Sequence, residues 1–164
     1  MSEDEEIALS VAANGWHAIN VDDHSPAFVY TCGLMTTFQH PEAIILGLDP
    51  QAAYSILRVM VEDIRGGRSF AAPSTYDGVL VDLPIAVKAV HPSQHELYLG
   101  YAMGHCRHTG NPGGLMAVQV FWPDKRGRFP FESECDPEFA ALQPRLELPV
   151  PESELRAFRR QFGI

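Results

Sequence analysis

The apolar positions of this chain change period several times, and each change marks an element. Near the N-terminus Ile7, Ala8, Val11 and Ala12 recur at helical spacing, and Gly15 ends the run as a C-cap glycine does. Residues 16–21 and 27–32 read as two strands, joined by the turn chemistry of Asp22, Asp23, His24, Ser25 and Pro26. Residues 33–41 read as a loop and 43–48 as a fully apolar strand. The clearest helix follows. Asp49 is placed to N-cap it and Pro50 suits its first turn. Ala53, Ile56, Leu57, Met60, Val61 and Ile64 form one apolar face, and Gly66-Gly67 ends it.

The second half is less regular. Strand signals return over residues 79–90, with Pro84 marking an edge or a bulge. Ser93 and Glu96 have the spacing of a capping box, which predicts a helix running to His108. Asn111 to Gly114 is a turn, and residues 115–122 are a strand. Asp124 to Gly127 reads as a type I turn with a left-handed glycine, closing a hairpin onto Arg128 to Phe131. Residues 132–149 look irregular. A last helix over about 151–162 carries Leu155, Phe158 and Phe162 on one face. Strict strand–helix alternation is absent, so a doubly wound sheet is not expected. The pattern predicts an α+β fold: a mostly antiparallel sheet, or a partly closed barrel, with three to four packed helices. No repeat or linker divides the 164 residues, which read as one domain with a core over 14–146.

Composition narrows the function classes. The net charge of −9 disfavours a nucleic-acid binder, since phosphate backbones are held by clustered cations. Only two small basic groups occur: Lys125, Arg126 and Arg128, then Arg156, Arg159 and Arg160. The apolar runs are too short to span a bilayer, and the acidic start is unlike a signal peptide, so a cytoplasmic protein without a membrane partner is expected. Cys32, Cys106 and Cys135 are neither a disulfide framework nor a zinc pattern, and read as buried thiols.

A series of short motifs carries a resemblance. Gly15-Trp16-His17, Phe28 to Leu34, His40-Pro41-Glu42, Gly47-Leu48, Trp122-Pro123-Asp124, Gly127 and Phe129-Pro130-Phe131 stand in an order that resembles the bacterial domain-of-unknown-function family numbered 4262, over residues 14–146. Phe131 stands where many relatives have tryptophan, and Cys32 where valine or isoleucine is common. The resemblance implies no activity. A more distant likeness is to the opening of a flavin-reductase-type split barrel. There, a loop after the early strands helps to hold the flavin.

Four constellations could carry chemistry. Tyr30 and Thr31 lie at a strand end, beside Gly33 and a loop that presents His40 before Pro41. They read as a polar-ligand cradle, with His40 and Tyr30 as candidate catalytic groups and Thr31 and Gly33 as ligand contacts. Trp122 could stack on a flat ligand beside Asp124, although turn chemistry also explains Asp124. His105 and His108 share a helix face and could ligate a divalent metal, with His91, His95 or Asp82 completing the set. Asp22, Asp23 and His24 could do acid–base work, or simply make a turn. Nucleophile-elbow, phosphate-loop and dinucleotide motifs are absent. The expected function is therefore binding of a small molecule or cofactor, with a flavin-type oxidoreductase as its specific form. The alternatives are a metal-dependent enzyme and an acidic interaction or immunity-type protein. A homodimer is compatible with either.

Overall fold

A computed structural model describes residues 1–111 and 113–163; Pro112, within the predicted Asn111–Gly114 turn, lies outside them. Helix α1 spans Glu3–Asn14. Ser2 accepts from the Glu5 amide at its start, and Gly15 ends it at φ 89°, the left-handed conformation that glycine adopts without strain. Strands β1 (His17–Val21) and β2 (Phe28–Cys32) pair antiparallel, with His17 opposite Cys32. After the short helix α2 (Leu34–Phe38) comes β3 (Glu42–Leu46). Helix α3 (Pro50–Arg65) begins as its sequence predicts, with Asp49 accepting from the Gln51 and Ala52 amides. Then come β4 (Ser74–Tyr76), β5 (Ile85–Ala89), α4 (His95–Tyr98), α5 (Gly100–His108), β6 (Ala117–Phe121), α6 (Pro137–Ala141) and α7 (Glu152–Phe162).

The six strands form one α+β sheet in the order β1-β2-β3-β6-β5-β4, antiparallel except for β3 beside β6. β1 and β4 end the sheet on opposite sides, so it is open, and the barrel form of the expectation does not occur. Of the seven α-helices among the described residues, four exceed eight residues, and three of these, α1, α3 and α5, bury side chains, within the expected three to four.

The period-2 alternation of the central strands sorts the core into two layers. Val29, Ala43, Ile45, Val118 and Val120 face α3, meeting Ala53, Leu57, Met60, Val61 and Ile64. Phe28, Tyr30, Cys32, Ile44 and Leu46 face the other way, toward Ile7 of α1 and Ala102 of α5.

Several elements depart from expectation. Residues 33–41 hold a helix rather than a loop, because a buried carboxylate caps it, as described below. Residues 79–90 are not one strand: Asp82 adopts φ 64°, and Pro84 precedes the ladder. β5 is therefore interior, and the edge belongs to β4. The predicted 93–108 helix breaks at Leu99 (φ −121°, ψ 36°) into α4 and α5. Its opening turn is capped by His91 Nδ1, which accepts from the Ser93 amide, while Ser93 Oγ accepts from the distant Val150 amide; no capping box forms. The Asp124 turn is present, with the Gly127 amide donating to the Asp124 carbonyl (3.0 Å), but Arg128 to Phe131 pair with no strand.

Candidate functional site

The two faces of the sheet are covered unequally. On the side away from α3, α1 buries only Ile7, and α5 buries only Ala102 and Cys106. Between them the cover is incomplete. Two adjoining cavities, of about 310 and 450 Å³, share Asp4 and Gly104 and form a groove along α5.

Strand alternation builds the aromatic floor. Phe28 and Tyr30 are two apart on β2 and project into the groove, where Tyr98 and Tyr101 complete the lining. Phe28 meets Tyr98 edge-on at 5.2 Å, and His24 stands edge-on to both. The Tyr30 hydroxyl accepts from the Tyr101 amide (3.2 Å), which pins the start of α5 to the sheet. Burial, with the nearby Cys32 thiol second, raises the Tyr30 pKa, so the phenol stays protonated.

Two glycines open the space. Gly100 and Gly104 are four apart on α5, share a face and line the groove. A Cβ at either would meet nothing within 4 Å. Glycine inside a helix costs about 0.5–1 kcal/mol relative to alanine. No close packing accounts for it at these two positions.

The other end of the groove is polar. His105 and His108 of α5 face Asp4 and Glu5 of α1. His105 Nε2 is buried without a hydrogen-bond partner, and burial, then the neighbouring His108, lower its pKa, so the ring is neutral near pH 7. The ring lines this end of the groove, with that nitrogen turned away from solvent.

The remaining predicted residues go elsewhere. Tyr30 and Thr31 are adjacent on a strand, so their side chains leave by opposite faces and share no cradle. Thr31 and Gly33 instead hold Glu42. Its carboxylate accepts from Thr31 Oγ1 (2.7 Å) and from the amides of Gly33 (3.1 Å), Leu34 (3.1 Å) and Met35 (3.2 Å). Three of these donors are the unpaired amides at the start of α2, which explains why that segment is helical. Burial pushes the Glu42 pKa up to about 7 against the downward pull of these bonds, Thr31's foremost.

His40 is also occupied. Its Nε2 accepts from the Phe70 amide (3.0 Å), and its Nδ1 lies 2.8 Å from the Pro41 carbonyl oxygen, which assigns the proton to Nδ1. Trp122 Nε1 donates to the Leu46 carbonyl (2.8 Å), and Gln143 brackets the Trp122 backbone. Asp124 accepts from the amides of Arg126, Arg128 and Asp136, bonds that lower its pKa, and it lines a separate cleft. Cys32 is fully buried, and burial and then Glu42 raise its thiol pKa, the reverse of an activated nucleophile. Asp22 and Asp23 lie in the exposed turn, where His24 Nδ1 sits 2.9 Å from the Pro26 carbonyl oxygen. Among the described residues no group of three or more His, Cys, Asp and Glu is placed to hold a metal, so His91, His95 and Asp82 do not complete a set with His105 and His108. No helix is long and apolar enough to cross a membrane among those residues.

The structure thus brings Tyr30, His105 and His108, taken from two separate predictions, into one groove. Sequence reasoning missed Gly100, Gly104, Asp4 and Glu42. The glycine pair was a legible signal, because two helix-weakening residues at i and i+4 mark one face. Glu42 stands between the predicted loop and the apolar strand, and enters only as part of the His40-Pro41-Glu42 motif.

The model of the family described as a domain of unknown function, DUF4262, matches residues 10–136. The chain belongs to this DUF4262 family. No curated protein and no solved structure matches the chain. The DUF4262 segment contains β1 to β6, α2 to α5 and the Glu42 nest, while the first nine residues, with Asp4 and Ile7, and helices α6 and α7 lie beyond it.

Proposed function

We propose that this chain binds a small organic molecule in the groove between α1, β2 and α4–α5. The observation that carries this reading is the pair Gly100 and Gly104, which keep a helix face open over an aromatic floor where nothing else packs. Apolar concavities with a few convergent polar groups are the usual form of ligand sites. Phe28, Tyr98 and Tyr101 would take a planar or apolar part of the ligand, and the polar end lined by Asp4, Glu5 and His108 would take a polar group.

A flavin is the first planar ligand to test, since a flavin-type oxidoreductase is the specific form of this reading. Thermal denaturation with flavin mononucleotide, riboflavin and a panel of metabolite-sized aromatics measures it. A ligand at a hundred times its dissociation constant adds about 2.7 kcal/mol. Gly104→Met, which places a side chain in the groove, should abolish that gain while the protein stays folded. A stabilisation that survives Gly104→Met unchanged places the ligand elsewhere and overturns the reading. Stabilisation by the non-flavin aromatics alone would remove the flavin form and leave the groove.

A further inference from the structure

We infer that the ligand of this groove is an organic cation: an amine, amidine or guanidine attached to an aromatic or apolar body. The inference rests on the groove being the binding site, not on the flavin form of that reading, and adds the charge of what enters it.

Three observations carry it. Charge is the first. Asp4, Glu5 and Glu96 line the groove, and Arg107 is the one Lys or Arg among its lining residues. His105 adds no positive charge near neutrality, because burial lowers its pKa. An anionic ligand would meet the carboxylates of Asp4 and Glu5, and at Glu96 one already paired with Arg159. The second is the floor. Phe28 and Tyr30 form its buried base, and the more open Tyr98 and Tyr101 add aromatic rings, whose faces attract cations. The start of α5 would favour an anion through its free amides, but the Tyr101 amide is already taken by the Tyr30 hydroxyl.

The third observation is a cation held by a carboxylate of the groove, although Arg159 itself is not a lining residue. Arg159 of α7 donates from Nε (3.0 Å) and Nη2 (2.7 Å) to the two carboxylate oxygens of Glu96, a groove-lining residue. This is the two-pronged geometry by which carboxylates recognise guanidinium groups. Helix α7 buries no residue, and the pair is partly exposed, at 45% for Arg159 and 25% for Glu96. Arg159 is thus an exchangeable stand-in, and an incoming cation competes with it for Glu96.

The experiment uses three probes of one shape: benzamidine (positive), benzamide (neutral) and benzoate (negative). Each is titrated into the full chain while the amide NMR signals of Gly100, Tyr101 and Gly104 are followed. Benzamidine should move these signals with a dissociation constant about tenfold below that of benzoate, a gap of about 1.4 kcal/mol. Glu96→Gln and Asp4→Asn should weaken benzamidine, and Arg159→Gln, which frees Glu96, should tighten it severalfold. Benzoate or benzamide binding at these amides as tightly as benzamidine overturns the cation inference and leaves the groove reading standing. Benzamidine moving none of the three amides also overturns it, and the groove reading then rests on Gly104→Met. An unchanged benzamidine affinity in Arg159→Gln removes Arg159 as the stand-in and with it the third observation.

Discussion

The two faces of the sheet are covered differently. On one, a sixteen-residue helix lays five buried side chains along β2, β3 and β6. On the other, α1 and α5 bury three residues between them, and Gly100 and Gly104 leave open space beside α5 that no side chain fills. The first face is finished by the chain itself. The second is closed where Ile7, Leu99, Ala102 and Leu146 reach it, and the groove lies where α1 and α5 leave a gap. The groove comes from incomplete packing over a largely apolar strand surface.

Truncation on each face tests this contrast most strongly. Leu57→Ala, at a fully buried position under α3, should cost about 2–5 kcal/mol, seen as a lower denaturant midpoint. Tyr101→Ala, at a groove position 44% exposed, should stay below about 1 kcal/mol. Equal losses would mean that the groove face is as tightly packed as the other.

The next effect concerns Glu42, which organises α2 next to the well-packed layer. Glu42→Gln leaves amide donors facing a new donor and should cost about 2–4 kcal/mol near pH 8. The pH profile adds a sign. Burial raises the folded-state pKa to about 7 from an ordinary 4.5, so the folded chain holds this proton more tightly than the unfolded chain. Its contribution to stability is full below pH 4.5 and is lost as pH rises through about 7. Denaturation from pH 4 to 8 should therefore show a decline in wild type that Glu42→Gln lacks; parallel profiles would refute the buried proton.

A smaller effect should run the other way. Gly104→Ala should raise stability by about 0.5–1 kcal/mol, because the helix gains and nothing obstructs the new methyl group. A loss instead would mean that the position is packed. The smallest change is expected for Arg159→Gln, whose exposed pair with Glu96 is screened by solvent, leaving the melting temperature within error. A clear destabilisation would show that α7 is part of the folded core.

The sequence was most legible where an element is local. Helix α3 shows its cap, its apolar face and its terminating glycines within one stretch, and α1 its glycine stop. It was least legible where a distant group decides. Helix α2 depends on the carboxylate of Glu42, eight residues beyond its first residue, and so looked like a loop. The run over 93–108 breaks at Leu99, which is followed at once by Gly100, a groove residue. For the site, residue types were found more readily than partners. Tyr30, His105 and His108 were picked out, but nothing local says that the Tyr30 hydroxyl meets an amide 71 residues away.

The sequence by itself determined the α+β class, most of the strands, the strongest helix and the acidic balance of the chain. Those properties follow from hydrophobic period, turn chemistry and charge, which act over a few residues or over the whole composition. Tertiary structure alone decided that Tyr30 and Thr31 serve opposite faces, that Glu42 takes the donors beside Thr31, and that one face of the sheet is left with a groove. Strand periodicity divides side chains between two faces but does not say what covers either. That depends on which distant helices arrive and how closely their side chains, or the absence of them at Gly100 and Gly104, allow them to pack.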